Sequence, residues 1–200
     1  MPRILSDDDV ADFRERLCEA AAGLYAAKGP SGVTMRELAS ALGVSPMTPY
    51  RYFHDKDEIL AAVRTRAFDR FAEALEKAGA GPGTAPERSH AVGHAYMRFA
   101  LEEAPSYRLM FDLSQPSEDA YPDLVRAMTR ANATMTAHVR SLVDEGYLQG
   151  DPELIGHVFW AATHGAVSLQ LAGKLDPRIG LDNIVDAAGR ALVEGFRPKA

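Results

Sequence analysis

Several groups of side chains in this sequence have the type and spacing to do chemistry. Met47, Thr48 and Arg51 lie within little more than one helical turn. Arginine can bond guanine O6 and N7 together, and a methionine or a threonine methyl can meet a thymine methyl. Tyr52, His54 and Lys56 follow directly and suit phosphate oxygens, as does Thr34 at the start of a helix, where free N–H groups point outward. Arg36, Ser45 and Tyr50 complete the expected nucleic-acid contacts. Trp160 and His164, four residues apart, share a helix face and can offer an apolar pocket one of its few polar handles. His90 and His94 have the same spacing, which can hold a metal. No nearby cysteine or downstream acidic partner completes that set, so no metal ligand is assigned. Glu102 and Glu103 point to different helix faces and make no acid/base pair. With no Gly-x-Ser-x-Gly, phosphate-cradling glycine loop or Rossmann fingerprint, neither a catalytic residue nor a cofactor is expected.

The base-reading residues need a short helix held at an angle to a second one. Thr34 and Glu37 have the Thr-x-x-Glu spacing of a capping box, with Val33 and Leu38 flanking it as a hydrophobic staple. Gly43 stands where a left-handed residue must end that helix, and Ser45-Pro46 restarts one. Two helices this short build a poor core but can push one helix into a DNA major groove. Pro49 falls in the first turn of the second helix, removes one N–H and leaves its entry angle open.

The remaining pattern is helical throughout. Phe13, Leu17, Ala20, Leu24 and Tyr25 recur at helical spacing up to the Gly29-Pro30 stop. Asp55 and Glu58 cap a long helix ending in the glycine-rich loop at 79–83, and Thr84 restarts one that runs to Ala104-Pro105. A short helix across Tyr107 to Leu113, a loop around Ser114 and a long helix ending at Gly146 follow. Asp151-Pro152 opens the next, and Ile184, Ala188 and Leu192 mark the last. The expectation is an all-α chain of about nine helices.

From Leu17 to Val63 the sequence resembles the tetracycline-repressor (TetR) family of bacterial transcription regulators. The resemblance rests on Ala20-Ala21, Leu24-Tyr25, Thr34, Leu38-Ala39, Leu42-Gly43-Val44-Ser45, Thr48 and the closing Tyr50-x-Tyr52-Phe53-x-x-Lys56. Trp160-Ala-Ala-Thr-His164-Gly165 resembles the Trp-x-x-x-His-Gly signature of one C-terminal subgroup of that family, as does the stretch from Tyr96 to Phe111. The resemblance implies a three-helix DNA-binding domain over 1–56 and a larger effector-binding and dimerisation domain over 57–200. It implies a homodimer, joined through helices at about 151–173 and 181–196, on a pseudo-palindromic double-stranded operator. A small apolar or aromatic effector would release it, with Tyr96, Phe99, Phe111, Met128, Met135, His138, Trp160 and His164 as expected ligand contacts. The alternative is an effector-independent DNA-binding protein of the same fold, chromosome-organising or a constitutive regulator.

Composition fits that expectation. The 200 residues are 46% hydrophobic with a net charge of −6. Between Lys28 and Arg66, however, six basic residues face four acidic ones, and DNA affinity depends on the basic groups that reach phosphate rather than on the total. A single cysteine, no apolar run near the first residues and no uninterrupted membrane-length stretch predict a cytoplasmic protein without a membrane partner.

Overall fold

The computed structural model describes residues 6–112 and 118–199, and among these every regular element is helical. Eight α-helices follow in order: α1 Asp7–Lys28, α2 Met35–Ala41, α3 Lys56–Gly79, α4 Ala85–Glu102, α5 Ala104–Met110, α6 Pro122–Asp144, α7 Pro152–Leu171 and α8 Leu181–Gly195. Single 3₁₀ turns occupy Pro30–Gly32, Pro49–Arg51 and Glu118–Ala120. The loop expected around Ser114 lies outside the described residues. α4 ends at Glu102, and Pro105 is the second residue of α5 rather than the end of α4.

Local chemistry sets the boundaries. Thr34 accepts from the Glu37 N–H while the Glu37 carboxylate accepts from the Thr34 N–H, and Thr84 with Glu87 repeats the arrangement. Asp55 accepts from the N–H groups of Asp57 and Glu58, whereas the Glu58 carboxylate reaches one residue further back, to the His54 N–H. Gly43 (φ 64°) ends α2 in a Schellman motif, with Val44 N–H on the Ala39 carbonyl and Gly43 N–H on the Ser40 carbonyl.

The expected second helix of the pair is not an α-helix. To continue from Ser45 it would need an N–H at position 49, and Pro49 has none. The Ser45 carbonyl instead accepts from the Thr48 N–H at 2.8 Å. Arg51 and Tyr52 then donate to the Thr48 and Pro49 carbonyls at 3.1 and 3.0 Å, the three-residue step of a 3₁₀ turn.

The chain gathers into two compact units. One holds the residues up to Phe68 together with Pro105–Met128, the other Asp69–Ala104 with Thr129–Ala200, so α3 and α6 contribute to both. Leu17, Ala21, Tyr25, Val33, Leu38, Phe53 and Ile59 form the core of the first. The Tyr25 hydroxyl donates to the Lys56 carbonyl at 3.0 Å and so ties the end of α1 to the first residue of α3. In the second unit Val139, Leu142, Leu148 and Ile155 join α6 to α7, which also packs against α4 and α8. Gly156 marks a close approach of α6 and α7. A Cβ there would lie 2.8 Å from Thr136 Cγ2 and 3.0 Å from the Met135 carbonyl oxygen.

Candidate nucleic-acid interface and cavity

The segment from Val44 to Asp55 carries most of the expected nucleic-acid contacts, and its packing sorts them. Phe53 and Pro49 are its buried anchors. Tyr50 is 49% exposed and Met47 68%, so both stand outward with Arg51, His54 and Ser45. Thr48 and Lys56 are half-buried. Tyr52 stacks on Phe13 with ring centroids 4.2 Å apart, so its ring has a packing role that the sequence did not disclose. Thr34 and Arg36 are exposed at the start of α2.

Ion pairs decide which cations remain available. Lys28 donates to Glu37 at 2.6 Å, and that bond, with those from Thr34, holds the Glu37 carboxyl down to about 2. Arg66 pairs with Glu15 at 2.5 Å. Arg64 is buried, donating to the Met110 carbonyl and to Glu118. Arg36, Arg51 and Lys56 have no carboxylate partner among the described residues. These three belong to the set expected to meet DNA.

Sequence reasoning missed Arg14 of α1. Its guanidinium donates to the Tyr52 carbonyl, approaches Glu58 and lies over the Phe53 ring. No local pattern marks it, because its partners lie about forty residues away in the chain.

The second unit contains a cavity of about 830 Å³ between α4, α6, α7 and α8. This size lies within the range of small-molecule sites. Tyr96, Met135, His138 and Trp160, all expected ligand contacts, line it. Trp160 Nε1–H donates to the Tyr96 hydroxyl oxygen at 3.2 Å, and His164 Nδ1 stands 3.1 Å from the same oxygen. Phe99 is buried against Phe71 instead of lining the cavity. Phe111 and Met128 belong to the first unit, where Phe111 contacts Tyr107 and Phe68. The wall also carries Arg190 and Arg197, which no sequence pattern places there. His138, hydrogen-bonded to Ser89 Oγ at 2.9 Å, has its pKa lowered by burial to about 4. Burial also lowers that of His164.

Among the described residues no helix is long and apolar enough to cross a membrane.

Comparison with known proteins identifies both parts of the chain. Residues 17–63 match the family model for bacterial regulatory proteins of the tetR family, and residues 89–195 match the tetracyclin repressor-like C-terminal domain. An uncharacterized HTH-type transcriptional regulator of Mycobacterium tuberculosis is 27% identical over 167 residues, 82% of this chain and 72% of the relative. The HTH-type transcriptional regulator BetI of Rhizobium meliloti is 27% identical over 132 residues, 64% of this chain and 65% of its own length. Among solved structures, a protein of unknown function from Rhodococcus sp. RHA1 superposes with a TM-score of 0.81 at 27% identity, covering 99% of this chain and 100% of that one. The TetR family regulator PfmR of Thermus thermophilus gives a TM-score of 0.70 at 23% identity, covering 92% and 100%. The named relatives are transcription regulators rather than enzymes. This chain belongs to the TetR family of DNA-binding transcriptional regulators.

Proposed function

We propose that the protein is a homodimeric repressor released from a pseudo-palindromic operator by a small apolar or aromatic effector, and that it works in the cytoplasm. The cavity in the second unit is the observation that carries this reading. Its wall is mostly apolar and rich in aromatic rings, with polar groups and the charged Asp186, Arg190, Glu194 and Arg197 among its lining, the make-up of a site for a mostly apolar molecule that carries a few polar atoms. Tyr96, Met135, His138 and Trp160 contact the effector, with Phe99 and His164 behind them. Residues 1–56 read DNA and residues 57–200 bind effector and partner. Trp160-x-x-x-His164-Gly165 supports membership of the Trp-x-x-x-His-Gly subgroup.

The homodimer reading is supported by α7 and α8. Although α7 is rich in apolar residues, only Ile155, Gly156, Ala166 and Val167 are buried, and in α8 only Leu181 is. A Cβ at Gly165 would meet nothing within 4 Å, which leaves room for a close-packed helix of a second copy. An effector changes operator affinity only if it binds one dimer geometry better than another.

The test combines sedimentation with a compound screen. A dimer is expected at micromolar concentration without DNA. Compounds that raise the melting temperature should release the operator in gel shifts, and Trp160→Ala should abolish both effects. Compounds that release the operator equally from parent and variant would move the effector site elsewhere. An operator affinity that no compound changes would favour the effector-independent alternative.

A further inference from the structure

Two histidines on α4 and an aspartate on α8 converge at the wall of the cavity. His90 and His94 share one helix face, and their Nε2 atoms are 3.2 Å apart. An Asp186 carboxylate oxygen lies 3.9 Å from His90 Nε2, and one ligand atom from each of the three residues lies within 4.8 Å of the others. The histidine pair taken alone reads as a hydrogen bond between two imidazoles. Such a bond leaves the carboxylate without a part, since 3.9 Å is too long for it to accept from His90. An ion gives all three groups a part. Two nitrogens on a tetrahedral zinc ion stand about 3.3 Å apart, close to the separation already present. Asp186 joins them by closing about half an ångström on His90 Nε2 and at most about 1.5 Å on the His94 nitrogen. The sequence offered the histidine pair without an acidic partner, and the packing of α8 supplies one nearly a hundred residues away.

We propose that His90 Nε2, His94 Nε2 and Asp186 bind one divalent transition-metal ion, of the kind that imidazole and carboxylate together favour: zinc, nickel or cobalt. The ion bridges α4 and α8. Its remaining coordination positions are filled by water, or by an oxygen or nitrogen of a molecule in the cavity. The site rests on this three-residue geometry and stands whether or not the cavity receives an effector.

The test uses the full-length protein, free of any histidine tag, titrated with zinc chloride and with cobalt chloride in a calorimeter. One ion per chain is expected, with a higher melting temperature in its presence. His90→Ala, His94→Ala and Asp186→Asn should each weaken binding at least tenfold, while the exposed His157→Ala should not. All three ligand residues are exposed or half-exposed, so their replacement should leave the helical circular-dichroism signal intact. Cobalt broadening of histidine side-chain resonances in the unaltered protein provides a second readout. The signals of His90 and His94 should broaden before those of His54 and His157. Absence of binding at micromolar zinc, affinity that survives the three substitutions, or broadening that begins at another histidine would each overturn the proposal.

Discussion

The Arg14 guanidinium lies 3.8 Å from the centroid of the Phe53 ring. It also donates to the Tyr52 carbonyl and stands 3.5 Å from the Glu58 carboxylate. One side chain of α1 therefore holds the end of the segment from Val44 to Asp55 and the start of α3. Arg14→Lys keeps the charge but loses the planar stack, and should cost about 0.5–1 kcal/mol of stability. Urea unfolding measures that loss, and operator binding should weaken alike for all sequences. Unchanged stability would mean the stack contributes nothing.

Arg51 and Lys56 should separate base reading from phosphate contact. Arg51→Ala should relax sequence preference by about 1–3 kcal/mol at one base pair per half-site. Lys56→Ala should instead weaken all sequences and flatten the salt dependence. Gel shifts at two salt concentrations, on variants of an operator selected from random DNA, measure both. An Arg51→Ala protein with unchanged preference at every position would remove Arg51 from the base-reading set.

Pro49→Ala tests why the second helix of the pair is a 3₁₀ turn. The new N–H can reach the Ser45 carbonyl, so the segment should take up α-helical bonding. Backbone chemical shifts of residues 47–52 should move toward helical values, and the preferred operator should change with them. Shifts that stay as in the parent would assign the turn to its packing and not to the missing N–H.

His138 gives the stability a defined pH dependence. Burial lowers its pKa from 6.5 to about 4, so the fold favours the neutral ring. The resulting stability is complete above about pH 6.5 and is lost as the pH falls toward 4, amounting to about 3 kcal/mol over that window. His138→Gln should flatten the melting temperature between pH 6.5 and 4, leaving a smaller slope from His164, whose pKa is lowered in the same direction. An identical slope in parent and variant would assign the acid sensitivity to other groups.

What could be read in the sequence was what local bonding decides. The Thr34 capping box, the helix start at Thr84 and the Gly43 stop involve groups within five residues of one another, and they stand where the sequence indicates. The same holds for the stretch from Leu17 to Val63, whose expected family limits coincide with the matched residues. Pro49 was visible, but one missing N–H had to be weighed against a whole helix turn, and the outcome rested on whether Thr48 could take over the Ser45 carbonyl. Contacts between distant residues were not legible. Nothing near Arg64 in the chain indicates that Glu118 will bury its charge, and nothing near Phe111 or Met128 assigns them to the first unit instead of to the cavity.

Gly156 acts as a gauge for the cavity. It lets α7 touch the α6 backbone at Met135 and Thr136, one turn before Phe159 and Trp160 reach the cavity wall, and Met135 lines that wall from the other side. A methyl group at position 156 would have to push the two helices apart, because a Cβ 3.0 Å from a backbone oxygen has no rotamer to escape into. The calibre of the cavity, and with it the girth of any molecule it admits, is thus set by a hydrogen atom on a residue that does not itself line it.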